Sequence, residues 1–136
     1  MDESVSYDQQ VEAIRAANEP VLAAFQAWLE QAGLSASTVQ SHVQNIEFFA
    51  TYLVYYEPLK RLDEAESDDV WTFLGDWFPR KALWASVSSV KAYLASFKKF
   101  YRWMGETGRV APATIEEVLD TLKEERETFL RTVAEG

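Results

Sequence analysis

The sequence predicts an all-α protein, and three observations carry that reading. Apolar residues recur at spacings of three and four, as one face of a helix requires. No stretch alternates apolar and polar residues at period two for long enough to make a strand. Prolines and glycines fall between the periodic stretches, where helices start and stop. The 136 residues are 48% hydrophobic and 14% aromatic, which suffices for one core without staples.

A first short helix is expected from about Asp8 to Ala17, carrying Val11 and Ile14. Asn18-Glu19-Pro20 interrupts it, because proline is tolerated only in the first turn of a helix. A second helix then runs to about Ala32 with Val21, Leu22, Phe25, Trp28 and Leu29 on one face, and Gly33 suits the left-handed residue beyond its end. Ser35 caps a third, from about Ala36 to Tyr56. Val39, Val43, Ile46, Phe49, Leu53 and Tyr56 form one stripe on it, and Phe48, Tyr52 and Tyr55 an adjacent one. So wide an apolar arc marks it as the central helix.

Leu59 to Glu66 reads as a polar loop. Ser67, followed by Asp68 and Asp69, starts a fourth helix that Pro79 stops. Ser86 caps a fifth, with core face Val90, Leu94, Phe97, Tyr101 and Met104, ended by Gly105 and Gly108. A sixth opens at Ala111-Pro112, with either Pro112 at its first position or Thr114 and Glu117 as a capping box. Its stripe is Ile115, Val118, Leu119, Leu122, Phe129, Leu130 and Val133. All five glycines are placed at helix ends.

The catalytic inventory is nearly empty. There is no cysteine, which excludes disulfides, thiol chemistry and cysteine-based zinc sites. His42 is the lone histidine and is expected to be structural or solvated. No phosphate-binding glycine loop or nucleophile elbow is present, so neither enzyme, cofactor, metal nor small-molecule substrate is expected. Asp68-Asp69, Glu116-Glu117 and Glu124-Glu125 read as caps and solvated faces. The start, Met1-Asp2-Glu3-Ser4, is acidic and polar, no apolar run is long enough to span a membrane, and a cytoplasmic protein is expected.

Charge supplies the functional lead. The total is −9, which argues against a general polyanion binder. Yet between Trp77 and Pro112 seven cations meet one acid, Glu106, giving +6 there and −15 over the rest. Three of the seven, Lys91, Lys98 and Arg102, fall within a sector of roughly 40° on the fifth helix, with Lys99 further round. Such a face can neutralise phosphates, and small Ser88 and Ala95 beside it let a backbone approach. The alternative is a solvated face that balances acids elsewhere. Trp28, Trp71 and Trp77 read as core, while Trp84 and Trp103 are the aromatics placed to touch a partner.

An ordered set of segments carries a family resemblance. A helix from Phe25 ends in Gly33-Leu34-Ser35 and leads to a helix containing Thr38 and Val39. Leu62-Asp63-Glu64 and Asp68-Asp69-Val70 follow, and the last helix ends in Phe100-Tyr101-Arg102-Trp103. Over about residues 20–110 this resembles the N-terminal core-binding domain of tyrosine recombinases, the phage-integrase SAM-like domain. The resemblance implies an orthogonal bundle of four core helices forming half of a clamp around DNA. Residues 1–19 would be an extension with a short helix, and 111–136 an acidic amphipathic helix. It also implies that the helices after Ser35 and Ser86 face duplex DNA. The positions are Ser37, Thr38, Gln40, Ser41, Gln44 and Asn45 on the first, and Ser88, Lys91, Ala95, Lys98, Lys99 and Arg102 on the second.

Two departures from the family pattern shape the expectation. The family's catalytic residues belong to a separate C-terminal domain, so a non-catalytic module is expected. The helix after Ser35, often arginine-rich in the family, here offers glutamine, asparagine and Glu47. The acidic last helix is expected to pack back on the bundle, to dimerise, or to cover the DNA face. The alternative use is therefore protein interaction or self-association on the same scaffold, through Ile115, Leu119, Leu122 and Phe129.

Overall fold

The computed structural model describes residues 6–135; the acidic start read in residues 1–4 and the final glycine lie outside them. Helix α1 is Tyr7–Gln31. Ser6 caps it, its hydroxyl accepting from the Gln9 N–H while the Gln9 amide oxygen accepts from the Ser6 N–H. The expected break at Asn18-Glu19-Pro20 is absent, and α1 runs through Pro20 as one helix. Proline in a helix interior costs about 3 kcal/mol. Here Pro20 and Ala16, the residue whose carbonyl loses its donor, are both exposed, so solvent can take the orphaned oxygen. Val11, Phe25 and Leu29 anchor the helix on both sides of the proline. Asn18 points inward instead, and its side-chain oxygen accepts from the Leu62 N–H at 3.0 Å.

Helix α2, Ala36–Leu53, begins at Ser35, whose hydroxyl accepts from the Thr38 N–H at 3.3 Å. It stops three residues before Tyr56, which is half exposed rather than part of the stripe. The chain turns at once, with Tyr55 N–H on Tyr52 O and Lys60 N–H on Leu53 O. The segment read as a polar loop buries Leu62 and Ala65 completely, around a 3₁₀ turn at Leu62–Glu64. Lys60 reaches Asp69 across 2.8 Å from the same segment.

The fourth expected helix is α3, Ser67–Thr72, continued by a π turn, Phe73–Trp77, and by α4, Phe78–Lys81. Pro79 does not stop it. The π turn hands the Phe78 N–H to Phe73 O, and Pro79 then sits in the first turn of α4, where its missing N–H is not needed. Helix α5, Val87–Glu106, starts at Ser86 with a capping box to Ser89. The last expected helix divides into α6, Pro112–Glu124, and α7, Arg126–Glu135, and Pro112 takes the first helical position.

Gly75, placed at a helix end, lies inside a helical segment, whereas Gly105 is the penultimate residue of α5, at its end as read. A Cβ on Gly105 would stand 3.2 Å from Ile115, and one on Gly75 would stand 3.3 Å from Phe129. Their absent side chains let α6 close on α5 and α7 close on the π turn.

The core is aromatic. Phe73 packs on Phe49 at 5.3 Å and on Tyr52 at 5.4 Å, Phe49 meets Phe97 edge-on at 4.8 Å, and Phe78 lies 4.7 Å from Tyr93. Val118, Leu122, Phe129 and Val133 of α6 and α7 belong to this same core. The tail therefore packs back as part of the bundle. Of the face expected for self-association, Leu122 and Phe129 are buried, while Ile115 and Leu119 pack against the core half-covered.

Tyr101 is fully buried, and among the described residues nothing bonds its hydroxyl. An unsatisfied buried hydroxyl carries a desolvation cost of about 1–3 kcal/mol. Tyr101→Phe is therefore expected to raise the urea midpoint, and a lowered midpoint would show that the hydroxyl does have a partner.

Candidate nucleic-acid interface

Helix α5 turns one flank inward and one outward. Val90, Leu94, Phe97, Tyr101 and Met104 are buried, whereas Ser88, Lys91, Ala95, Lys98 and Arg102 are exposed and Lys99 is half-buried. The outward set spans roughly 16 Å along the helix from Lys91 to Arg102 at 1.5 Å per residue. None of these four cations makes an ion pair among the described residues. Two others in the basic segment are engaged: Arg80 is forked onto Asp76 through two 3.1 Å bonds, and Arg109 stacks over Trp103 at 4.6 Å. The basic charge left open is thus concentrated on α5.

On α2, Ser37, Thr38, Gln40, Ser41 and Gln44 are exposed. Thr38 is held by Ser35, 2.9 Å from its hydroxyl. The set does not form one narrow face, since Gln40 lies about 100° round the helix from Ser41. Asn45 departs from the expectation. It is half-buried between α2 and α5, and its amide N–H donates to Ser96 Oγ at 3.0 Å. It acts as a pin between the two helices, because it lies about 60° round α2 from His42, which also reaches Ser96.

His42 completes that pin. Its Nδ1 lies 2.7 Å from Ser96 Oγ, and both residues are buried. Burial, assisted by the Lys99 charge, lowers the His42 pKa from its ordinary 6.5. In the unfolded chain histidine takes up a proton near pH 6.5, whereas the folded protein resists until lower pH. The stability this confers is complete above 6.5 and is lost as pH falls through the folded value. A melting temperature that declines below pH 6.5 in the wild type and is flatter in His42→Asn is the expected result. Parallel pH profiles for the two proteins would exclude it.

The tryptophans divide differently from the expectation. Trp103, placed to touch a partner, is buried 5.5 Å from Phe25 and 5.9 Å from Phe100. Trp71, placed in the core, is 38% exposed, and its indole N–H donates to Glu125 at 3.1 Å. Trp77 is buried and Trp28 half-buried, as read; Trp84 is exposed beside Phe48. Trp103 was misplaced because it lies off the main apolar arc of α5, and α1 covers that side through Phe25.

This arrangement, a helix capped at Ser35 pinned to a basic helix capped at Ser86, coincides with a match to the phage integrase N-terminal SAM-like domain over residues 21–109. The chain belongs to that family. No curated protein and no solved structure gives a significant match. The phage integrase SAM-like domain is the non-catalytic N-terminal part of those integrases. In this member the family match ends at Arg109, so α6 and α7 lie beyond it while sharing its core. No helix among the described residues is long and apolar enough to cross a membrane.

Sequence reasoning missed two side chains. Lys123 and Arg126, from α6 and α7, line the same groove as Lys91, Lys98 and Arg102. Acids surround them in sequence, which hid them, although the 3.6-residue period places Lys123 beside the Leu119–Leu122 edge that faces α5.

Proposed function

We propose that this phage integrase SAM-like domain is a cytoplasmic, non-catalytic module that binds duplex DNA. The observation that carries the proposal is the outward flank of α5. Lys91, Lys98, Lys99 and Arg102 stand there without ion-pair partners among the described residues, in a chain whose net charge is −9. Had those cations served only to balance the chain's acids, contacts with acids would be expected. The exposed polar residues at the start of α2, Thr38, Gln40, Ser41 and Gln44, are neutral and suit base edges or sugar-phosphate hydrogen bonds. Asn45 and His42 both reach Ser96 and tie the two helices together.

The test is a duplex titration at about 50 and about 200 mM salt, since phosphate neutralisation makes affinity fall steeply with salt. Binding at the lower concentration that weakens strongly at the higher supports the proposal. No binding at about 50 mM ends it.

A further inference from the structure

Helices α5 and α6 form an antiparallel hairpin through the turn at Gly108, and a groove of about 740 Å³ runs between α5 and the α6–α7 pair. Lys91, Lys98 and Arg102 stand on its α5 wall, and Lys123 and Arg126 on the other. Among the described residues Asp120 is the one acid that lines it, and Leu94 and Leu122 contribute apolar surface. Toward the hairpin turn the character reverses, where Glu106, Glu116 and Asp120 gather round Arg102. The tail is strongly acidic, yet it turns two of its few cations toward the basic flank of α5.

Local stability does not account for both. Lys123 lies in the last turn of α6, where a cation suits the helix dipole. Arg126 directly follows Glu125, the cap of α6, and opens α7, so the two helix dipoles oppose one another there and give a cation no net preference. No acid among the described residues pairs with it within 4.0 Å. An unpaired guanidinium beside four other open cations is placed to meet an anion supplied from outside.

We propose that this groove takes the sugar-phosphate backbone of one strand of the bound duplex, with Lys123 and Arg126 as the wall opposite α5. The inference rests on the DNA-binding reading and adds to it a contact surface beyond the family match. A duplex is favoured over an acidic peptide because a row of three cations along roughly 16 Å of α5 faces two more across the groove, suited to successive phosphates of one strand. The strand enters at the Lys91–Arg126 end and leaves before the acidic end.

The experiment uses the full 136-residue chain, with Lys123→Glu/Arg126→Glu, the milder Lys123→Gln/Arg126→Gln, and Asp120→Asn. Duplex binding is titrated from about 50 to about 200 mM salt, with unchanged far-UV circular dichroism as the folding control. The glutamate pair is expected to lose at least about tenfold in affinity at low salt. The glutamine pair should flatten the slope of log K against log salt by about 2, near 0.9 for each phosphate released. Asp120→Asn should bind more tightly than wild type, a gain that a purely structural role would not produce. If the tail variants bind like wild type while charge reversal on α5 weakens binding, the groove proposal falls and the DNA reading stands. If wild type does not bind, both fall. Displacement of duplex by polyglutamate at equal charge concentration would overturn the assignment of the groove to DNA.

Discussion

Charge reversal of Lys91, Lys98 and Arg102 to glutamate is expected to abolish measurable duplex binding at about 200 mM salt. At about 50 mM it should lower affinity by a hundredfold or more. Three neutralised phosphates give a salt exponent of about 2.7, which alone is worth roughly 40-fold between those concentrations. Reversal goes further than removal, because it places three negative charges where the phosphates would lie. All three side chains are exposed and make no ion pair among the described residues, so folding should be little changed. Exposed substitutions of this kind shift stability by about 0.5 kcal/mol or less. The comparison that decides is with Arg80→Glu and Lys81→Glu, cations of the same basic segment that lie outside α5. Equal losses per reversed charge in the two sets would mean that only the summed charge of the segment matters.

The second large effect concerns stability. Phe129→Ala is expected to cost about 3–5 kcal/mol, a substantial part of the 5–15 kcal/mol typical of a whole domain. Phe129 is fully buried, meets Trp71 at 6.2 Å, and fits a space that Gly75 leaves open in the π turn. Ending the chain after Ala111 is the stronger form of the same test. It removes Val118, Leu122, Phe129 and Val133 from the core and uncovers the apolar side of α5 around Leu94. Loss of cooperative urea unfolding, with dye binding to exposed apolar surface, is the expected outcome. A truncated chain that unfolds cooperatively at the wild-type midpoint would show that α6 and α7 are an appendage. The same result would reopen the tail as an interaction surface.

The places where reading the residues in order went astray share one cause. Asn18 and Pro20 look like a helix break when only neighbours along the chain are considered. Burial of Val11 and Phe25 on either side, with Pro20 facing solvent, outweighs the local cost. Pro79 looks like a stop, and a π turn admits it. Gly75 looks like an end, and close approach by Phe129 explains it. Asn45 looks like a surface amide, and Ser96 on another helix claims it.

What the sequence determined by itself is the all-α class, the caps at Ser35 and Ser86, and the outward row of Lys91, Lys98 and Arg102. These depend on interactions within a few residues along one helix, and a 3.6-residue period exposes them directly. Only the tertiary structure decided that the acidic tail joins the core, that Trp103 and Asn45 turn inward, and that Lys123 and Arg126 come to face α5. Those facts follow from contacts between residues far apart in the chain. Such pairings are set by which apolar faces close on one another, and periodicity along a single segment carries no record of them.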